Sequence, residues 1–210
     1  VHDFSGALTF AASSGNLAGL TVYAVDAIAL AALTLVAAGG GDLAGNLSLK
    51  SGTVTQSGAW VVPGTTTISS SGSDVTLSNT SNDFGGAVGV TGVGVTLVDA
   101  NAIDLGASTV TGNYAVTATA GGGITDSGVL NIMGASTFKA ASGQSIYLNE
   151  SNIFSGTVAF TTPSGNLANV TVRDTTDFDL AALTLSGDLI VTSTGGSITD
   201  SGALAITGTT

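Results

Sequence analysis

The apolar residues of this chain come in short alternating pieces, not in helical stripes. In the middle of the sequence they run Ala87–Val90, Val95–Val98, Ala102–Leu105, Tyr114–Thr117, Val129–Met133, Thr137–Lys139 and Ser145–Leu148, separated by Gly, Asn, Asp and Ser. Alternation with a period of two predicts strands with one buried and one exposed face, and the punctuating residues predict tight turns between them. Pieces this short cannot make the long hairpins of a two-layer sandwich. They suit a chain that bends every few residues and stacks on itself.

The pieces recur as a larger unit. ITDSGALAITGT from Ile198 repeats ITDSGVLNIMGA from Ile124 and, more loosely, VTQSGAWVVPGT from Val54, at spacings of 198 − 124 = 74 and 124 − 54 = 70. Trp60, Leu130 and Leu204 share one register, read as inward. Val61, Asn131 and Ala205 share the next, read as outward, because Asn131 has no evident buried partner. Phe4, Phe84 and Phe154 open FSGALTF, FGGAVGV and FSGTVAF, and Leu30, Leu105 and Leu180 follow Ile28, Ile103 and Phe178 by two residues each. The pattern divides the chain into imperfect repeats over 1–81, 82–151 and 152–210, with length differences confined to Gly-, Ser- and Ala-rich stretches such as Ala37–Gly45.

These observations predict an all-β parallel β-helix, a β-solenoid, forming one segment of a longer array. Roughly 20 residues per coil would give about ten coils and a rod on the order of 50 Å. Phe4, Phe84, Phe154, Leu30, Leu105, Leu180, Ile124 and Ile198 are expected as stacking columns, with Gly58, Gly128 and Gly202 at corners and Trp60 filling an inward slot that holds Leu elsewhere. Asn16, Asn46, Asn113 and Asn166 each follow Gly and precede Leu or Tyr, which suits left-handed turns or an amide ladder between coils.

One stretch invites a different reading. Leu17–Ala38 is apolar over more than a bilayer's span. Its counterpart Leu167–Leu185 carries Arg173, Asp174, Asp177 and Asp179 in register with Tyr23, Ala24, Ala27 and Ala29, and two copies of one unit cannot lie in lipid and in water by turns. No membrane insertion is expected.

Composition narrows the picture. Thirty-one Gly against two Pro, a scarcity of Glu, Gln, Lys, Arg and Met, and 5% aromatic residues fit many bends around a slender aliphatic core. The net charge of −11 arises with only 8% charged residues; Lys50, Lys139 and Arg173 cannot form a phosphate-tracking patch, which excludes nucleic acid as a partner. With no Cys, neither disulfides nor thiolate sites contribute. No basic n-region followed by an apolar h-region opens the chain, and the repeat breaks off at Thr210, so the sequence reads as a piece of a longer array.

The run NDFGGAV, VTLVDANAIDLGASTVTGN and GGGITDSGVLNIMGAS resembles the repeats of large bacterial exoproteins of the filamentous haemagglutinin type. That resemblance implies a right-handed parallel β-helical shaft, an extracellular or cell-surface location in a bacterium, and secretion through an outer-membrane partner. The amino-terminal secretion domain of that family is not seen in this segment.

Candidate chemistry is thin. Asp177 with Asp179, and Asp99 with Asp104, are the carboxylate pairs a polysaccharide-cleaving β-helix would need, but His2 is the only histidine and the turn positions favour solvated rim residues, so no enzyme and no catalytic residue is expected. Asp99, Asn101 and Asp104, and Asp174, Asp177 and Asp179, offer oxygen ligands without a calcium-loop spacing, so no metal or cofactor is expected. Thr34, Thr109 and Thr184, and Thr55, Thr125 and Thr199, occupy common registers, as an ice-binding face would require. The expected function is a structural shaft or filament of an adhesin-like protein, with neighbouring coils or further copies as partners. A module binding cell-surface glycan or ice is the alternative, and a polysaccharide-cleaving enzyme is a third reading.

Overall fold

The computed structural model describes residues 7–11, 17–37 and 44–210. Phe4, His2 and Asn16 lie outside them, as does most of Ala37–Gly45. The described residues form short strands paired in parallel, a β-solenoid of about eight turns without helices. One nine-stranded sheet runs the length of the stack: Ile28–Leu30, Val54–Gln56, Val75–Leu77, Val95–Asp99, Tyr114–Ala118, Ser136–Lys139, Val158–Thr161, Phe178–Leu180 and Ile198–Asp200. An eleven-stranded sheet and two shorter ones complete the sides of the coil.

Short alternating pieces become strands because each has one apolar face and no long partner within its own coil. Stacking supplies that partner, satisfies both backbone edges, and lays apolar residue on apolar residue. Where the sequence pattern marked seven pieces between residues 87 and 148, the chain adds strands at Ser108–Val110 and Ile124–Asp126, and Ile146–Phe154 is one strand of nine residues that turns a corner at a register shift between Leu148 and Asn152.

The inward and outward assignments hold within the stack. Leu30, Leu105, Leu180, Phe84, Phe154, Ile124, Trp60 and Leu130 are buried; Val61 and Asn131 are half-buried on the outer side. The Trp60 ring is fully enclosed, and its indole N–H donates to the Ala31 carbonyl at 3.1 Å. Ile198 and Leu204 depart from this: they are 52% and 42% exposed, because no coil of the structure lies above theirs.

Equivalent residues do not stack in columns, however. In the nine-stranded sheet, seven parallel pairings carry the chain from Ile28 through Val54, Val75, Val95, Tyr114, Ser136 and Val158 to Leu180. Two repeats, from the strand Ile28–Leu30 to its equivalent Phe178–Leu180, therefore occupy seven coils, and one repeat occupies three and a half. Leu30 and Leu180 lie in the nine-stranded sheet while Leu105 lies in the eleven-stranded one, and Val54, Ile124 and Ile198 alternate likewise.

The repeat preserves neighbours between adjacent coils instead. Leu8, Val88 and Val158 pair with Leu30, Leu105 and Leu180. Ile28, Ile103 and Phe178 pair with Val54, Ile124 and Ile198. Thr34, Thr109 and Thr184 are exposed but belong to no common rank; outward threonines stack instead as Thr55, Thr76 and Thr96, and as Thr91 with Thr109.

Gly58, Gly128 and Gly202 follow the same rule. None has a positive φ. Each lies flat on an alanine of the coil below, Ala32, Ala107 and Ala182, so close that a Cβ would collide with alanine backbone. Glycine is needed here for approach and not for a left-handed turn. We predict that Gly128→Ala lowers stability by about 1–3 kcal/mol, read as a fall in urea midpoint, because backbone cannot yield as a side chain can. Gly128→Asn should do no better, whereas the same change at Gly72, whose φ is 81° in open space, should be mild.

The apolar stretch from Leu17 carries the strands Gly19–Tyr23, Ile28–Leu30 and Leu33–Thr34. Among the described residues no helix is long and apolar enough to cross a membrane.

Candidate functional site

The most organised chemistry in the molecule is a buried polar corner that ties three successive coils together, and it occurs twice. In the first copy Asn82 Oδ1 accepts from the Trp60 N–H at 2.9 Å in the coil below and from Gln56 Nε2 at 2.7 Å. Asn82 Nδ2 donates to Gln56 Oε1 at 2.9 Å and to the Val98 carbonyl at 3.0 Å. Two residues on, the Phe84 N–H donates to Asp99 Oδ2 of the coil above at 2.7 Å, while Asp99 Oδ1 accepts from the Asn101 N–H at 2.6 Å.

In the second copy Asn152 Oδ1 accepts from the Leu130 N–H at 2.8 Å and Asn152 Nδ2 donates to Asp126 Oδ2 at 2.8 Å. Phe154 N–H then donates to Asp174 Oδ2 at 2.8 Å, and Asp174 Oδ1 accepts from the Thr176 N–H at 2.6 Å.

Asn82, Asp99, Asn152 and Asp174 are all fully buried. Their burial corrects the reading of Asp99 as a solvated rim residue and takes Asp174 out of the exposed turn in which it was grouped with Asp177 and Asp179. The physical cause is the corner itself: the strand ladder breaks where the chain bends, leaving the N–H groups of Trp60, Phe84, Leu130 and Phe154 without a carbonyl above them, and a short Asx side chain from the next coil is the acceptor that reaches in. The signal in the sequence is a short pattern, NTSNDF at 79–84 and NESNIF at 149–154, followed by an Asp at 99 and 174. The first repeat carries Ala24 at the Asp position.

A second set of Asx residues caps the corners from outside, with the acceptor in the lower coil. Asn46 accepts from the Thr65 N–H at 2.9 Å, Asp74 from Gly94 at 2.8 Å, Asn113 from Ala135 at 3.1 Å, Asp177 from Ser197 at 2.8 Å and Asp188 from Thr209 at 2.7 Å. Among the described residues no residue other than glycine has a positive φ, so Asn46, Asn113 and Asn166 serve no left-handed turn. Asn46 and Asn113 bridge coils with their side chains; Asn166 does so with its backbone carbonyl, which accepts from the Gly143 N–H.

The carboxylates considered for chemistry are engaged in these ties. Asp104 accepts from Ser127 Oγ at 2.7 Å and Asp179 from Thr157 Oγ1 at 2.6 Å, each bridging to a neighbouring coil. Among the described residues no three His, Cys, Asp or Glu side chains converge as a metal-ligand set.

Burial raises the Asp99 carboxyl above its ordinary value of 3.8, against the lowering influence of the Phe84 and Asn101 N–H groups, and Asp83 adds a smaller upward push. Burial likewise raises Asp126, opposed by the Asn152 amide and the Asn149 and Glu150 N–H groups. A carboxyl whose folded value exceeds its unfolded one binds its proton more tightly in the folded chain, so stability falls as pH rises through the interval between the two. The thermal midpoint is therefore expected to rise as pH is lowered from neutral toward about 4, the region where most proteins begin to weaken, and Asp99→Asn should flatten the profile. Asp188, lowered by the Thr209 N–H, acts oppositely, only as pH falls below 3.8.

Parallel coils, corner glycines on alanine and a recurrent interior polar tie define a repeat β-solenoid protein. The chain belongs to the family described as repeats of unknown function (DUF5649), whose model matches residues 24–91, 92–161 and 167–210. No curated protein and no solved structure matches it.

Proposed function

We propose that this chain is a non-enzymatic structural shaft of a large bacterial protein of the filamentous haemagglutinin type, secreted or displayed on the cell surface, where its stiffness holds an adhesive element away from the cell or builds a filament. The observation that carries this reading is the doubled polar corner. Buried hydrogen-bonded networks cost more to break than they add in net stability, so their role is to impose one vertical register on coils that an aliphatic core alone would let slide. A register-locked stack of about eight turns at roughly 4.8 Å per turn is a rigid element ~40 Å long. Immunogold electron microscopy of cells making the native protein tests this: label along thin fibres of uniform width outside the cell supports it, and label confined to the cytoplasm, or on particles no longer than they are wide, would sink it.

A second reading, glycan binding, has one observation in its favour. Tyr23 is 65% exposed and Val25 57%, and with Lys50, Ser51 and Ser69 they line a groove on the outer surface. An aromatic face beside hydroxyls and an ammonium is suited to stacking on a sugar ring and bonding its substituents. Glycan-array binding that disappears in Tyr23→Ala would support it; a signal unchanged by that substitution, or none, would leave the shaft alone.

A further inference from the structure

Copies of one repeat meet the same folding demands, so the outward positions at which they differ are free of those demands. The strand Leu130–Ile132 and its equivalent Trp60–Val62 allow the comparison, since each has a coil stacked above it and another below. Val129 stands where the earlier copy has Ala59, Met133 where it has Pro63, and Ile153, in the coil above, where it has Asp83. Each change puts a bulkier apolar residue in place of a small, turn-forming or charged one.

The three lie together. Val129, Asn131 and Met133 alternate along one row whose backbone stays in the ladder: the Ser108 N–H donates to the Val129 carbonyl and the Met133 N–H to the Val110 carbonyl. Ile153 sits over Asn131 and Thr109 beneath it. Val129 is 39% exposed and Met133 56%, with coils above and below, so this exposure belongs to the side of the stack. Apolar surface residues scattered singly carry no message, but a contiguous set does.

Two features say what covers it. The chain has a net charge of −11, yet this patch, bordered by Thr109, Thr111 and Ser155, holds no charged residue. The other long outer faces carry Asp104 and Arg173, or Lys139 and Asp179. Two copies of so acidic a chain repel where carboxylates meet, and this face is free of them. The patch is also complementary to itself. The Asn131 amide makes no hydrogen bond among the described residues, unlike those of Asn82 and Asn152, and can donate and accept reciprocally across a two-fold axis.

We propose that this face pairs two copies of the chain side by side, pointing the same way, about a two-fold axis that runs along the shaft past Asn131. The two sheets then pack face to face at about 10 Å. This direction sets Ile153 on Ile153, Asn131 on Asn131, and the long Met133 side chain of each copy on the shorter Val129 of the other. The opposite direction would waste Ile153 on Thr109 and crowd Met133 against Met133.

The pairing deepens the shaft reading and rests on it, because it turns single shafts into a thicker filament. Sedimentation equilibrium of the 210-residue chain tests it, with monomer and dimer expected in exchange at about 10–100 µM. The dimer should tighten as salt rises from about 0.01 M to about 0.1 M, since the screening length falls from about 30 Å to about 10 Å and repulsion between the copies fades. Met133→Glu alone and Val129→Lys alone should each weaken pairing about tenfold or more, because each buries unpaired charge. Mixed together, the two variants should pair again: the introduced glutamate of one faces the introduced lysine of the other, and the second contact keeps its native Val129 and Met133. A misfolded variant could not be rescued in this way. Thr137→Glu, the same charge on the nine-stranded face, should change pairing by less than about twofold.

A chain still monomeric at about 1 mM, a dimer that loosens as salt rises, one indifferent to Met133→Glu, or a mixture as weak as its members would overturn the proposal. Any of those results with fibres still present outside the cell removes this inference alone. A measured dimer from a protein that makes no fibre removes the shaft reading and leaves the paired face.

Discussion

Phe138→Ala is expected to cost about 3–5 kcal/mol, the largest loss from any single truncation in the core. Its ring is fully buried, packs edge-on against Tyr114 at 6.0 Å and against Phe154 at 5.9 Å, and stacks on Phe160 at 5.8 Å with planes 23° apart. Most inward positions of the solenoid hold aliphatic residues, so this is, among the described residues, the one place where four large rings fill a coil interior from two sides. Removing the middle one leaves a void that small neighbours cannot close, since Ser136 and Ala140 flank it on the same inward face. In a stack where each coil touches mainly the coils above and below, the damage should stay local. Hydrogen exchange should therefore accelerate first in Tyr114–Ala118, Ser136–Lys139 and Val158–Thr161, with Ile28–Leu30 unaffected. Thr137→Ala, one residue away and outward-facing, should change stability by no more than about 0.5 kcal/mol. Comparable losses for the two substitutions in a denaturant melt would mean that the assigned faces are wrong.

Asn152→Leu should cost roughly 2–5 kcal/mol although it makes the interior greasier, because it strands the Leu130 N–H and takes the amide donor from the Asp126 carboxylate. Each buried group left unpaired costs about 1–3 kcal/mol. Asn152→Asp separates this electrostatic account from simple packing. Nearly the same shape, it keeps an acceptor for Leu130 but turns an oxygen toward Asp126, so two carboxylates would share a dry corner. The loss should be severe near neutral pH and largely recovered on acidification, when one proton serves both groups. A melt series of Asn152→Asp from neutral to mildly acidic pH decides the matter: a deficit independent of pH would show that the amide matters only for its volume.

The alternation of apolar and polar residues was sufficient to assign faces across the stack, down to Trp60 inside and Asn131 outside. It placed Asp99 on the rim and Asp174 in a turn for a sound general reason, that a carboxylate beside Asn or Thr in a turn is nearly always hydrated. What overturns it is the next coil. The Phe84 and Phe154 N–H groups that need those carboxylates lie 15 and 20 residues away and come within reach only when the chain has wound once around. The repeated NTSNDF and NESNIF patterns were visible in the sequence, but as corner residues they carry no mark of burial.

The columns expected from Leu30, Leu105 and Leu180 failed for a different reason. Their spacing measures how often the chain repeats itself, and the pitch of the solenoid is a separate quantity set by how much chain closes one coil. Because one repeat spans three and a half coils, identical units face opposite ways in alternate repeats. Side-chain periodicity and turn chemistry are local properties of the chain, and they were enough to read a stack of short parallel strands with a slender aliphatic interior. Which coil lies on which, why three glycines rest on three alanines, and that four Asn and Asp side chains sit in the dry interior emerge only from the folded stack, because each depends on atoms a full coil apart along the chain meeting across a single strand spacing.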